Sequence, residues 1–370
     1  MASAGWKERE PMIKRTAGRS VAVLAFATAL VVSACGGSAT ASPSAAPATA
    51  APATEAPATS APATEAPSAA AEPREVAYLS ASTANTWLAA SKAEMDKLAA
   101  ENNITITTFD AQFKADLQHT QMQDVIASGK YDAVLVVALD GVGLTPDLEE
   151  AIGKGIKIVG MNQVIGPDFT TAEPQVKGIS AMVFEPPLVR GQRLGKLVNK
   201  ACEGIDPCRV VYFFGIKGIP LDTAVRQGFD ETIAANVKVV DEREGQYLGP
   251  DKGQAAMQDS ITATKGEFDV VVGADQSTQG VQLAVEAAGL TGKKLLGFGG
   301  SQAAYDAIKS GAWYGGLWGT PAIEGRLAMQ AIIDALNGTD AGGIDPGAGA
   351  IDDNGVTKDN IDKFTAEWAG

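Results

Sequence analysis

Few side chains in this sequence are placed for covalent or metal chemistry. The three cysteines, Cys35, Cys202 and Cys208, lack the paired spacing that holds zinc. The single histidine, His119, stands between Gln118 and Thr120 in a helical stretch, where it reads as part of a solvated face. There is no Gly-x-Ser-x-Gly elbow, no Gly-x-x-x-x-Gly-Lys phosphate loop and no Gly-x-Gly-x-x-Gly after a strand. A formal charge of -14 argues against a nucleic-acid partner. The expectation is a protein that binds rather than catalyses, with no cofactor and no metal.

The elements that must position any binding groups alternate. Short apolar runs expected as strands lie at 76–79, 104–109, 133–139, 156–161, 210–214, 237–240, 270–273 and 295–298. Helical stretches separate them. The clearest carries Leu221, Ala224, Val225, Gly228 and Phe229 on one stripe. Thr145-Pro146-Asp147 and Thr320-Pro321 read as helix starts, with a capping hydroxyl and proline in the first turn. Alternation over this length means parallel sheets covered by helices on both faces. Such sheets bind ligands beyond the carboxyl ends of their strands. With 45% hydrophobic and 20% charged residues, the chain can build the two cores this requires.

The N-terminus sets the compartment. Lys14, Arg15 and Arg19 precede an apolar run over 21–32, the length of a signal-peptide core and short for a spanning helix. The run ends in Val32-Ser33-Ala34-Cys35, which resembles the lipobox of bacterial lipoproteins. The resemblance implies cleavage after residue 34, lipid on Cys35 and a place on the outer face of the cell membrane. The other reading is an ordinary secretory signal with an incidental cysteine, and either Met1 or Met12 serves as the start. Residues 35–74 repeat Ala-Pro-Ala-Thr-Glu-Ala-Pro at 51–57 and 61–67 and carry no large apolar side chain. They read as a semi-rigid tether. Export implies an oxidising compartment. The stretch from Ala201 to Cys208 reads as a helix end, a Gly/Pro turn and a strand start. Cys202 and Cys208 are therefore expected either as a disulfide or as two buried thiols.

Beyond the tether the chain resembles the ribose-type periplasmic binding proteins of sugar ABC transporters. The likeness rests on the order and spacing of several segments. They are the first strand with Asn85 and Trp87, the strand ending at Asp140, and the strand ending in Asn162-Gln163. In the second half they are Arg226 to Phe229, the strand ending in Ala274-Asp275, and Leu296 to Gly300. A closing segment over 356–362 completes the set. The resemblance implies the type I periplasmic-binding-protein fold: two doubly wound parallel-sheet lobes joined by a three-stranded hinge. Lobe one would take 75–179 plus 319–345, and lobe two 180–318 plus 346–370.

It also implies a ligand set. Asn85 and Trp87 fall where a polar contact and a stacking ring are expected, although Trp87 also reads as a core aromatic on a face continued by Met95 and Leu98. Asp110 and Asp140 end strands, and either could instead be a turn aspartate. Asn162 and Gln163 replace an aspartate–arginine pair. Arg226 stands near a ligand-contacting arginine, or else forms a surface ion pair on its helix. Asp275 and Trp318 complete the set, and Trp87 and Trp318 are expected on opposing sides of one interlobe cleft. Ala274 and Gly299 stand where the pattern has polar residues. The hydrogen-bond set is incomplete, which leaves open a sugar, a polyol, a nucleoside or a less polar solute. The implied partner is an ABC permease, with a membrane sensor as the alternative. The protein is expected as a monomer that meets the membrane through its lipid alone.

Overall fold

The computed structural model describes residues 72–370. The expected signal segment, lipidated Cys35 and tether up to residue 71 lie outside the described residues. All the described residues belong to one compact unit that ends at Gly370.

Two six-stranded sheets organise this unit. The first is built from β1 (Arg74–Ser80), β2 (Ile104–Asp110), β3 (Ala133–Val136), β4 (Lys157–Met161), β5 (Ile179–Val183) and, far along the chain, β11 (Gly342–Ile344). Its order is β11-β5-β4-β3-β1-β2, and every pairing is parallel. The second contains β6 (Cys208–Phe214), β7 (Val237–Glu244), β8 (Val270–Ala274), β9 (Lys294–Phe298), β10 (Gly315–Leu317) and β12 (Gly355–Thr357). Its order is β12-β10-β9-β8-β6-β7, parallel except for the antiparallel edge strand β12.

Continuous apolar runs make these strands buried on both faces, as parallel sheets require. On β1, Val76 and Tyr78 face one core cluster while Ala77 and Leu79 face another. On β6, Val210 and Tyr212 alternate with Val211 and Phe213 in the same way. The first sheet is flanked by α1 (Thr86–Glu101), α2 (Ala115–Ser128), α3 (Thr145–Gly153) and α9 (Pro321–Leu336). The second is flanked by α4 (Pro187–Ala201), α5 (Pro220–Thr232), α6 (Pro250–Thr264), α7 (Asp275–Ala287) and α8 (Gln302–Ser310). Neither sheet is one continuous stretch of chain: α9 and β11 return to the first sheet after the second is nearly complete.

The expected strands all occur, β10 among them as the strand expected near 313–317, and β5, β11 and β12 are additional. The last two have only three residues, too short for a period to show. Because β5 belongs to the first sheet, the chain leaves that lobe after residue 183, beyond the expected limit at 179. Both expected helix starts occur without their hydroxyl caps. Thr145 lies inside α3, and its hydroxyl donates back to the Gly141 carbonyl. Thr320 precedes α9 with no side-chain cap bond; a carboxylate from the C-terminal tail serves that end instead. Cys202 and Cys208 are joined, with a 2.08 Å S–S distance, across the turn between α4 and β6.

Candidate functional site

The carboxyl ends of both sheets meet around one cavity of about 80 Å³. On the same measure a water needs ~10–15 Å³, so the space suits a solute of several heavy atoms. Ala81 follows β1, Val137 and Leu139 follow β3, and Asn162 and Gln163 follow β4. From the other sheet come Tyr247 after β7, Ala274 and Gln276 at β8, Phe298 and Gly299 at β9, and Leu317 and Trp318 at β10. The passages between lobes add Glu185, Pro346, Gly347 and Asn354.

Five of the nine expected ligand residues line this cavity: Asn85, Trp87, Asn162, Gln163 and Trp318. Asn85 is the N-cap of α1, its side-chain oxygen accepting from the Leu88 N–H at 2.9 Å. Its amide nitrogen donates to the Tyr247 carbonyl at 3.0 Å, so the same side chain ties the two lobes together. Trp87 donates through Nε1 to Glu324 at 2.7 Å and meets Trp368 edge-on at 5.7 Å. It is half-buried and packs against the first core cluster, so it is cavity wall and core margin at once. Asn162 has a positive φ of 65°, a conformation asparagine tolerates, and donates to Glu324 at 3.2 Å. Trp318 donates to the Thr365 carbonyl at 3.2 Å and packs on Phe364.

The other four lie elsewhere. Asp110 accepts from the Thr83 N–H and hydroxyl and from the Gln112 N–H, closing its own loop. Asp140 accepts from the Gly143 N–H at 2.9 Å and is a turn aspartate. Arg226 pairs with Asp230 at 2.9 Å and Glu242 at 2.6 Å on the flank of α5, its guanidinium over the Tyr212 ring. It is the surface ion pair its helical position allowed. Asp275 is fully buried at the start of α7. One oxygen accepts from the Ser301 N–H at 2.7 Å, and the other has no partner. Burial pushes this carboxyl up to about 6, with Ser301 pulling the other way.

The sequence reading missed a cluster of charge. Glu324, in the first turn of α9, lines the cavity at 1% exposure and accepts from Trp87 and Asn162. Burial pushes its carboxyl up to about 7, against those donors and the nearby Arg190. A Cβ on Gly325 would stand 2.1 Å from the Ser91 carbonyl oxygen. The bare glycine lets α9 lie close on α1, which brings Glu324 to Trp87. The signal was readable: Glu324 falls on the stripe of Ala328, Ala331 and Ala335, an acid on an otherwise apolar face. Glu185 holds both Arg190, at 2.8 Å, and Arg193, where the chain leaves the first sheet. Tyr247 donates its hydroxyl to the buried Asp222 at 2.7 Å.

The last residues of the chain form a strap behind the cavity. Glu367 accepts from the Ala322 and Ile323 N–H groups at 2.9 and 3.1 Å, capping α9. Trp368 donates to the Gly299 carbonyl at 2.7 Å, and its backbone carbonyl accepts from Gln302. A Cβ on Gly299 would stand 3.0 Å from the Trp368 ring and 3.1 Å from Asp275. The glycine there makes room for an indole delivered from the end of the chain.

Comparison with known proteins agrees with this geometry. The chain matches the periplasmic binding protein domain over residues 76–340. A xylitol-binding protein of Mycolicibacterium smegmatis is 25% identical over 281 residues, which cover 75% of this chain and 76% of that one. A galactofuranose-binding protein of Escherichia coli is 26% identical over 241 residues, 62% of this chain and 71% of that one. Among solved structures, an ABC transporter solute-binding protein from Mycobacterium smegmatis with bound glycerol superposes with a TM-score of 0.69 at 22% identity, over 81% of this chain and 100% of that one. A Caulobacter myo-inositol-binding protein gives 0.68 at 19% identity, over 80% and 98%. Two doubly wound lobes around one cavity, together with a domain match across most of both, place the chain in the periplasmic binding protein family.

Proposed function

We propose that this protein captures a small polyhydroxylated solute, a sugar or polyol, between its lobes and delivers it to an ABC permease, working from the outer membrane face on a lipid attached to Cys35. The observation that carries the reading is one cavity at the carboxyl ends of both sheets, where Trp87 and Trp318 stand beside the amides of Asn162 and Gln163. Indole faces suit the C–H face of a sugar ring, and amides both donate to and accept from hydroxyls. Relatives named for xylitol, galactofuranose and ribose support the class. A less polar solute is the second reading, favoured by Ala274 and Gly299 at the cavity wall.

Thermal-shift and calorimetric screening against polyols, aldoses, nucleosides and amino acids tests both. A true solute at a hundred times its Kd adds about 2.7 kcal/mol of stability. Polyols and aldoses are expected to be the stabilising group; stabilisation by nucleosides or amino acids alone would replace the sugar reading. Labelled palmitate should mark the protein and fail to mark Cys35→Ala.

A further inference from the structure

A buried carboxylate stands in a wall otherwise suited to hydroxyls. Glu324 is almost fully buried, yet it lines the cavity. Its two side-chain partners, the Trp87 indole N–H and the Asn162 amide nitrogen, can only donate. They hold the group as an acceptor. An ionised carboxylate offers about four lone-pair sites, so acceptor capacity remains beyond these two donors. Among the described residues that line the cavity, Arg190 is the only cation, and its Nε is paired with Glu185.

Other groups also face Glu324. Arg190 in the first turn of α4 attracts it, and Glu185 in the passage before that helix repels it. The buried Tyr78 hydroxyl on β1 lies within its field, beside Ser80. Glu367 on the C-terminal strap caps the same helix end, with Arg326 of α9 and Glu94 of α1 beside it.

We infer that Glu324 is a specificity-determining residue: it accepts a hydrogen bond from a hydroxyl of a neutral solute, disfavours anionic ones, and couples capture of that solute to loss of its own proton. The inference rests on the solute-binding reading and names the class within it. Protonation of Glu324 would turn one acceptor site into a donor, and with Trp87 and Asn162 already donating to the group it would weaken its acceptance from a solute hydroxyl. The solute therefore favours the ionised form, and its binding releases a proton. Affinity must then rise with pH through the titration of Glu324 and level off above it. Burial sets that titration near neutrality, at about 7. If only the ionised form binds, Kd at pH 6 is about tenfold weaker than at pH 8.

The test is calorimetry at pH 6 and pH 8 with xylitol, myo-inositol and ribose, each in two buffers of different ionisation enthalpy, with xylonate as the anionic counterpart of xylitol. The expected result is tighter binding at pH 8, net proton release near pH 7, and xylonate weaker than xylitol at both values. Glu324→Gln should flatten the pH profile and weaken binding at pH 8. In parallel, tryptophan fluorescence of the solute-free protein should titrate near pH 7 through the Trp87 contact, and that step should vanish in Glu324→Gln. Neutral probes binding equally at both pH values without proton release would overturn the role of Glu324 and leave the solute-binding reading intact. Absence of binding by every neutral probe at both values, with the fluorescence step present, would overturn the polyol reading itself and the selectivity that rests on it. Absence of the fluorescence step would remove the titration. The wild-type profile needs no variant, so a misfolded Glu324→Gln does not obscure the result.

Discussion

The two lobes share a topology and enclose one cavity, but they furnish it differently. The first brings the amides of Asn162 and Gln163, the Trp87 indole and the buried carboxylate of Glu324, set among Leu88, Phe113, Val137 and Leu139. The second brings the Arg190 guanidinium, the Trp318 indole, Tyr247 and Gln276, set among Ile219, Leu221, Ala274, Phe298 and Leu317. The buried carboxylates repeat the contrast. Glu324 of the first lobe faces the cavity, whereas Asp275 of the second is sealed behind the wall with one oxygen unpartnered.

The largest expected effect sharpens that contrast. Asp275 has a folded-state pKa raised from 3.8 to about 6. The folded state therefore holds the proton more tightly than the unfolded chain. Its contribution to stability is full below about pH 4 and is lost as pH rises through about 6. Asp275→Asn keeps an oxygen for the Ser301 N–H and cannot ionise. Between pH 4.5 and pH 7 the wild type should lose ~2 kcal/mol that the variant keeps, read from urea unfolding. The difference should be the same with and without solute, unlike the pH effect at Glu324. A difference that disappears on adding solute would place Asp275 in the cavity after all.

Next in size is Trp87→Ala. Loss of the stacking ring should weaken solute binding at least tenfold, about 1.4 kcal/mol, part of it the ~0.5–1.5 kcal/mol of ring geometry. A core aromatic would instead cost ~3–5 kcal/mol of stability. Because Trp87 is half-buried and bonded to Glu324, some stability should also go. A loss of stability with unchanged affinity would show that the first lobe's wall does not touch the solute. The smallest effect belongs to Arg226→Ala. Its guanidinium pairs with Asp230 and Glu242 and covers the Tyr212 ring away from the cavity, so stability should fall by ~1 kcal/mol and affinity should not change. A tenfold loss of affinity would return Arg226 to the site.

Much of this was legible in the sequence, for identifiable reasons. Strands buried on both faces write continuous apolar runs, so β1, β3, β6 and β8 stood out. Residues directly after a strand in such a sheet point to the cleft, and Asn162, Gln163 and Trp318, named through the family resemblance, stand at such positions and line the cavity. The same rule failed at Asp110 and Asp140, because a short polar side chain at a strand end can close its own turn. Arg226 failed for a different reason: the residues that claim it, Glu242 above all, lie on a strand its own helix pattern does not reveal. Glu324 was visible as an acid on an apolar stripe. Trp368 left no sign, since its role depends on a glycine far away in the chain.

The return of α9 and β11 to the first sheet has a consequence for synthesis. At about 5–20 residues per second, tens of seconds separate the emergence of β5 from that of β11. During that interval α1 covers only part of this face of the first sheet, and the part over β4 and β5 that will receive Ala328, Met329 and Ile332 stays open. The second lobe can begin to assemble while its elder neighbour is still open. Ribosome-bound chains that stop before residue 321 should therefore expose a hydrophobic surface that a holdase chaperone can bind, and those that extend past 344 should not.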